Sequence, residues 1–171
     1  MEIALITPRF TLVPTHFFDP SQAREALGEV VTLMDTDEVR YVDVPHYDAV
    51  LVYAEAENDS KDIESEGCAG LTSVLPEIFY ILRALPSCPE YNKILASFRE
   101  GFLYLAIAQG GRLLLCNSFR CSDFTTAEYF IFSAMKSLQL NPEVSTICWR
   151  GRIGDDDQMS LYRYFKSVEQ L

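Results

Sequence analysis

The stretch KILASFREGFLYLAIAQGGRLLLCNSF, from Lys93 to Phe119, decides the fold. It predicts three consecutive antiparallel strands, because three β-rich runs are separated only by short turn sequences. The first turn is Arg99-Glu100-Gly101 and the second is Gly110-Gly111. A Gly-Gly pair favours a type I′ turn, in which both central residues need a positive φ. Helix, strand and helix patterns follow, so the predicted order is βββαβα.

The elements after this meander are predicted from capping signals and spacing. Residues 122–140 predict a helix, with Thr125 and Glu128 as a capping box. Residues 144–150 predict a short strand with Ile147 and Trp149 on one face. After Gly154, apolar side chains at helical spacing predict a last helix, and these are Leu161, Phe165 and Val168.

The first half predicts a smaller mixed α/β lobe. Strands are expected over 39–44 and 48–54, and the second of these is apolar enough to be a central strand covered on both faces. Asp19 is expected to cap a helix, and Thr72 or Ser73 a second helix over 72–85. We therefore expect residues 1–88 to form a first, incomplete lobe with an acidic loop at 55–70, and residues 89–171 to form a second lobe.

Composition narrows the possible partners and the compartment. The 171 residues carry a formal net charge of −11, which disfavours nucleic acid and anionic membranes as partners. No apolar run approaches the about 18 residues of a membrane span, and no signal peptide is recognisable, so neither membrane insertion nor export is expected. The five cysteines contain no C-x-x-C motif and are expected to be free thiols of a cytoplasmic protein.

The βββαβα order is the core of ribonuclease-H-like and actin-like folds. Enzymes with these folds need particular side chains on this unit. A two-metal nuclease needs a carboxylate on the first strand, but Lys93 to Phe98 contains none. An actin-like ATPase needs phosphate- and magnesium-binding hairpins, and the hairpin at Ser97 to Gly101 has no Asp. We therefore assign no catalytic residue, metal site or cofactor. The candidates for nucleotide contacts are Arg99, Gly101, Arg150, Gly151 and Arg152.

Aromatic residues are concentrated on two of the predicted helices. Tyr129, Phe130 and Phe132 lie close together on one helix, and Tyr162, Tyr164 and Phe165 on the last. Some of these rings must point away from the main core. They indicate either a packing surface against the other half of the chain or a protein–protein contact.

Four segments resemble a known family. They are Phe10 to Pro14 with Phe17 and Phe18, Tyr47 to Ala54, Gly110 to Phe119, and Leu140 to Glu143 with Gly151. They are similar to a Bacteroidetes family of uncharacterised proteins, a domain of unknown function with an actin-like ATPase fold. The resemblance implies two ribonuclease-H-like lobes but brings no known substrate or catalytic residue. Family members have further first-lobe strands before the equivalent of Phe10, so the first lobe is expected to be incomplete here.

Two functions remain open at this point. The first is a degenerate actin-like domain that acts as a non-catalytic protein-binding or scaffold module, through a protein partner or self-association. The alternative is a divergent nucleotide-binding protein or phosphotransferase.

Overall fold

The computed structural model describes residues 4–56 and 74–171. By their internal contacts the residues divide into two units, 1–80 and 81–171. The predicted capping residues Thr72 and Ser73, and the acidic run beyond Ala56, lie outside the described residues.

The first unit is built on a three-stranded antiparallel sheet. Its strands are β1 (Phe10–Pro14), β2 (Glu38–Val44) and β3 (Ala49–Glu55), in the order β1-β3-β2. All seven residues of β3 are buried, which confirms the prediction of a covered central strand. The helix α1 (Ala23–Gly28) packs Ala23 and Leu27 onto this strand.

The start of α1 was predicted closely but not in every detail. The Asp19 carboxylate accepts a hydrogen bond from the Ser21 amide at 2.9 Å, so Asp19 caps as expected. The turn that it caps is a 3₁₀-helix, Pro20–Gln22, and the α-helix begins only at Ala23.

A partly buried ion pair joins the segment before β1 to the segment before β2 in the first unit. The Arg9 guanidinium binds both carboxylate oxygens of Asp37, and the Met34 amide donates to the same carboxylate at 2.7 Å. The Arg9 hydrogen bonds, followed by that of Met34, hold the pKa of Asp37 below its usual range.

The helix α2 (Glu77–Ala84) contains the chain position at which the two units divide. It is shorter than the predicted 72–85 in the part that the structure describes. A 3₁₀ turn at Leu85–Ser87 ends it, because Pro86 cannot continue the α-helical hydrogen bonds.

The second unit is a five-stranded mixed sheet with two helices. The predicted meander is confirmed as β4 (Asn92–Arg99), β5 (Phe102–Gln109) and β6 (Arg112–Arg120). The helix α3 (Phe124–Ser137), the strand β7 (Thr146–Trp149) and the helix α4 (Asp155–Tyr162) follow in the predicted order.

The last residues of the chain differ from the predicted helix. The last helix ends at Tyr162, so neither Phe165 nor Val168 is helical. Val168 lies in an eighth strand, β8 (Ser167–Gln170), which pairs in parallel with β7. Val168 is buried with Leu161 and Phe165 as the spacing indicated. A four-residue strand carries too few positions for its period to be distinguished from a helical stripe. The sheet order is β6-β5-β4-β7-β8.

The core of the second unit lies between this sheet and α3 with α4. Buried side chains from the sheet, including Ile94, Leu105 and Trp149, meet Ile131 of α3 and Leu161 of α4. The predicted shared face of Ile147 and Trp149 is confirmed, since both belong to this core.

The two meander turns differ from the simple expectation. In the first turn Glu100 and Gly101 have φ of 51° and 79°, so it is this turn that has two positive φ angles. In the second turn only Gly110 has a positive φ, at 54°, and the prediction for Gly111 was wrong. The β5–β6 register shifts between Ile107 and Ala108, and this irregularity changes the geometry with which the strands reach the second turn.

Candidate functional site

Strand directions bring three chain segments to one edge of the second sheet. The strands β4, β6 and β7 run in the same direction, because β5 is antiparallel to both β4 and β6 while β7 is parallel to β4. Their carboxyl ends lead into Arg99–Gly101, Arg120–Ser122 and Arg150–Arg152, which we call the carboxyl edge. Ligands of open α/β sheets characteristically bind outside the carboxyl ends of the strands.

A cleft of about 560 Å³ opens at part of this edge. It is formed by the β4–β5 turn, the end of β6 and the first turn of α3. The lining residues are Glu100, Gly101, Phe102, Arg120, Cys121, Ser122 and Thr126. Of the five candidates from the sequence, only Gly101 lines it.

The β4–β5 turn is fixed to the end of β6. The Gly101 carbonyl oxygen accepts a hydrogen bond from the Cys121 amide at 2.8 Å. A Cβ on Gly101 would lie 3.5 Å from the Cys121 carbonyl oxygen, so space exists for it, but the φ of 79° strains any L side chain. Glycine is therefore required here by backbone conformation, and this requirement is independent of a ligand.

The N-terminus of α3 is occupied by a side chain of the protein. Asp123, not the predicted Thr125, is the N-cap, and its Oδ1 accepts from the Thr126 amide at 2.8 Å and from the Thr126 hydroxyl at 2.7 Å. The sequence prediction chose the wrong cap because both residue types suit that position. These hydrogen bonds, the amide first, lower the pKa of Asp123. A carboxylate that caps the helix competes with any anion for the same amide.

Cys121 is the thiol in the cleft, and its environment keeps it protonated. Its Sγ donates to the Phe119 carbonyl oxygen at 3.4 Å. Burial raises the pKa of this thiol. Since the thiolate is the reactive form of cysteine, Cys121 is poorly suited to act as a nucleophile.

The segment 150–152 lies directly beyond β7, and its contacts are with β4 and with Gln170. The Arg150 amide donates to the Ala96 carbonyl oxygen at 2.8 Å, which extends the β4–β7 pairing by one residue. Gly151 has a φ of 85° with open space around its Cα, and its carbonyl oxygen accepts from Gln170 Nε2 at 2.8 Å. Arg150 is half-buried and Arg152 is exposed. The register thus places Arg99 and these residues on the same edge, as a shared site would need, but outside the cleft that Gly101 lines.

Arg120 is the cleft residue that sequence reasoning missed. It ends β6 and lies opposite Phe102 in the β5–β6 register. Only that register, together with the direction of β6, brings it beside Glu100 and Gly101. Within residues 4–56 and 74–171, no group of three or more His, Cys, Asp or Glu side chains is arranged to hold a metal ion.

A second surface of the same unit carries exposed aromatic side chains. Tyr129 of α3 is 66% exposed and Tyr164, just after α4, is 50% exposed. Phe132 lies one helical turn from Tyr129, and its ring contacts that of Tyr164 with centroids 4.9 Å apart. We call Tyr129, Phe132 and Tyr164 the aromatic surface.

The remaining predicted aromatics divide between core and surface. Phe165 is buried, and Phe130 packs against the core through a stacked contact with Phe119, with centroids 4.6 Å apart. Tyr162 and Met159 of α4 are 46% and 60% exposed, and the Tyr162 hydroxyl donates to the Val168 carbonyl oxygen. The prediction that some rings face away from the core is therefore confirmed for the tyrosines. The phenylalanines Phe130, Phe132 and Phe165 instead pack against or within the core.

None of the helices in the described part of the chain combines the length and apolarity needed to span a membrane.

Comparisons with known proteins identify the family and the fold. The structure is similar to the crystal structure of a Bacteroides thetaiotaomicron VPI-5482 protein with an actin-like ATPase fold and unknown function, at a TM-score of 0.75 and 21% identity. That match covers 97% of this chain and 66% of the other, so the chain spans less than two thirds of that structure's length. The fold is thus α/β and actin-like, as predicted. No curated protein matches. The family model described as protein of unknown function (DUF3822) matches residues 1–168, and the chain therefore belongs to the DUF3822 family.

Proposed function

We propose that this protein is a non-catalytic protein-binding or scaffold module with a degenerate actin-like fold. The observation that carries the proposal is the aromatic surface, where two tyrosines expose half or more of their side chains beside a half-buried phenylalanine. Tyrosine is enriched at protein interfaces, because it offers a large apolar ring with a polar hydroxyl and few rotatable bonds.

The polar groups of the carboxyl edge support the same proposal. Asp123 caps α3, Gln170 binds the Gly151 carbonyl and the Cys121 amide binds Gly101. These groups are used within the fold. The first strand of the meander also offers no carboxylate for a magnesium ion, which phosphoryl transfer requires.

The partner in this proposal is a second copy of the chain or another protein. We propose a cytoplasmic location, and the net charge of −11 argues against a nucleic-acid partner. We also retain as a proposal that residues 1–88 form an incomplete ribonuclease-H-like lobe and residues 89–171 a second lobe.

Light scattering over a wide range of protein concentrations tests the proposal. We expect the wild-type mass to rise with concentration, and the double variant Tyr129→Ser/Tyr164→Ser to stay monomeric. Tyr91→Ser is the matched control, because Tyr91 is 68% exposed but lies over the turn at Gly110. A wild-type chain that stays monomeric, and whose capture of other proteins does not depend on Tyr129 and Tyr164, would contradict the proposal.

One observation favours the alternative, a divergent nucleotide-binding protein or phosphotransferase. The cleft at the carboxyl edge contains Gly101 and Arg120, and an arginine there can pair with phosphate. The candidate contacts remain Arg99, Gly101, Arg150, Gly151 and Arg152. A thermal melt with and without Mg-ATP distinguishes the two functions, because ATP at 100 times its Kd stabilises a folded protein by about 2.7 kcal/mol.

A further inference from the structure

The strand β6 forms one edge of the five-stranded sheet. It is the first strand in the order β6-β5-β4-β7-β8, and no strand among the described residues pairs with its outer side. Edge strands present a row of backbone donors and acceptors with which another chain can pair. The strand β6 is nine residues long, whereas the opposite edge strand, β8, has four. It therefore offers the longer template for a docked strand.

The hydrogen bonds at the end of β6 show which backbone groups point outward. The Cys121 amide donates to the Gly101 carbonyl oxygen, so alternate residues back from Cys121 face β5. The residues between them, which include Cys116 and Ser118, present their backbone groups to the outer side. In agreement with this, the Ser118 amide donates to the exposed Asn117 side chain at 2.9 Å.

The strand β6 lacks most of the features that protect edge strands from pairing with other chains. The usual features are short length, proline and charged side chains. Residues 113–119 contain neither proline nor a charged residue. In the first sheet, by contrast, the edge strand β2 carries charges along its length and the edge strand β1 ends at Pro14. The register shift lies near the start of β6, so residues 115–120 pair regularly with β5.

The edge adjoins the aromatic surface. Phe119, near the end of β6, stacks on Phe130 of α3 with ring centroids 4.6 Å apart. The Phe130 ring in turn contacts the Tyr129 ring, with centroids 5.4 Å apart. Phe119 and Phe130 are both half-buried, so these rings connect the strand edge with the exposed tyrosine.

Charge selects the kind of partner that fits this edge. The strand begins and ends with exposed arginines, Arg112 and Arg120. Neither guanidinium forms an ion pair with another described residue. In an extended strand these two positions are about 27 Å apart. An extended segment with carboxylates at both ends and an apolar middle therefore matches β6 in charge and in length.

A second copy of β6 matches this edge poorly. Two copies related by a twofold axis present the same strand to each other, in antiparallel orientation. In the register centred on Cys116, Arg112 of each copy lies opposite Arg120 of the other. Like charges directly opposite each other destabilise a strand pair. The charges of β6 therefore favour a different chain as its partner.

We propose that the outer edge of β6 binds an extended acidic segment of a partner protein by β-strand addition. The backbone of the segment pairs with the outward amides and carbonyls of β6, and its terminal carboxylates pair with Arg112 and Arg120. This inference rests on the proposed protein-binding function and adds to it the chemistry of a partner.

Fluorescence anisotropy of the full chain with synthetic peptides tests the proposal. The probe is a peptide of about nine residues, with alternating valine and threonine between paired glutamates at both ends. We expect this peptide to bind, and a version with lysines in place of the glutamates to bind at least about tenfold more weakly. An acidic peptide with N-methylated backbone amides should not bind, because it cannot donate hydrogen bonds to β6. Failure of the acidic peptide to bind at millimolar concentration, or equal binding of its N-methylated form, would overturn the proposal.

A proline variant tests the pairing from the side of the protein. Cys116→Pro removes an outward amide hydrogen and leaves the hydrogen bonds to β5 in place, so the chain should fold and lose peptide binding. Cys116→Ala keeps the amide and is the matched control, which should bind like the wild-type chain. Thermal melting shows whether the proline variant is folded. If it is not, the comparison of the three peptides on the wild-type chain still decides the question.

Further variants separate this inference from the proposed function. Arg112→Gln should weaken binding of the acidic peptide by about threefold, whereas Arg163→Gln, which removes an exposed arginine outside β6, should not. Self-association that Tyr129→Ser/Tyr164→Ser abolishes, in a chain that does not bind the acidic peptide, would support the proposed function and overturn this inference. Peptide binding in a chain whose association does not depend on these tyrosines would have the opposite result. Self-association that Cys116→Pro abolishes would place a second copy at the edge and overturn the choice of an acidic partner.

Discussion

The carboxyl edge and the aromatic surface belong to the same unit but differ in whether their side chains bind within the fold or are exposed to water. At the edge, Asp123 and Gln170 form hydrogen bonds inside the fold. On the aromatic surface, Tyr129 and Tyr164 leave half or more of their side chains in water. Two polar side chains at the position where open α/β folds characteristically bind ligands thus form hydrogen bonds within the fold, whereas the helical face exposes two tyrosines. This contrast supports the proposal that the chain binds a protein through its helices rather than a ligand at the strand ends.

The largest effect is expected on the aromatic surface. Removing both exposed tyrosines, in Tyr129→Ser/Tyr164→Ser, should weaken association by at least about tenfold, since buried tyrosine anchors dominate many interfaces. The free energy of unfolding should change little, because exposed side chains contribute little to the core. Sedimentation velocity measures the association and urea denaturation the stability. Tyr91→Ser is the control and should associate like the wild-type chain. If the double variant also associates like the wild-type chain, the binding surface lies elsewhere on the molecule.

The next effect concerns the backbone of the edge. Gly101→Ala should destabilise the protein by about 1–2 kcal/mol, because an L residue at a φ of 79° is strained even where its Cβ has room. Gly111→Ala is the matched control: its φ is not in that region and its Cβ meets nothing within 4 Å, so it should be close to neutral. Urea unfolding of both variants checks this pair. Equal losses for the two would show that turn conformation is not what requires glycine at Gly101.

A smaller effect is expected at the cap of α3. Because the folded state lowers the pKa of Asp123, its contribution to stability is present above the unfolded pKa and is lost as the pH falls through the folded pKa. Asp123→Ala should therefore lower the melting temperature at neutral pH. It should also reduce the fall in melting temperature that the wild-type protein shows as the pH becomes acid. Asp123→Asn keeps an acceptor for the Thr126 amide and should retain most of the neutral-pH stability while it also loses the acid dependence. Melts from neutral to acid pH compare the three proteins, and an unchanged acid limb in Asp123→Asn would exclude Asp123 as its source.

The smallest effect is expected with nucleotide. If the protein acts through its helical face, millimolar Mg-ATP should leave the melting temperature unchanged. A clear upward shift that Arg120→Ala abolishes would favour the alternative function and give the cleft a ligand.

The sequence predicted the second unit well wherever a pattern extended over many residues. The meander and α3 follow from long apolar runs, turn glycines and a helical stripe, all of which are local signals. It failed at short or ambiguous signals. Val168 occupies a strand too short to show a period, and Asp123 and Thr125 both suit a helix cap.

The candidate site was less predictable than the fold. Arg120 reaches the cleft only because β6 ends beside the β4–β5 turn, and that proximity depends on strand register. Gly101 was found because a glycine in a two-residue turn is a local signal.

Oxidative footprinting of the protein in its associated and dissociated forms tests the central claim most directly, since it reports the exposure of each side chain. The account predicts that Tyr129 and Tyr164 become protected on association, while Phe102 in the cleft keeps its reactivity. Protection of Phe102 with no change at Tyr129 and Tyr164 would contradict the claim and place binding at the carboxyl edge.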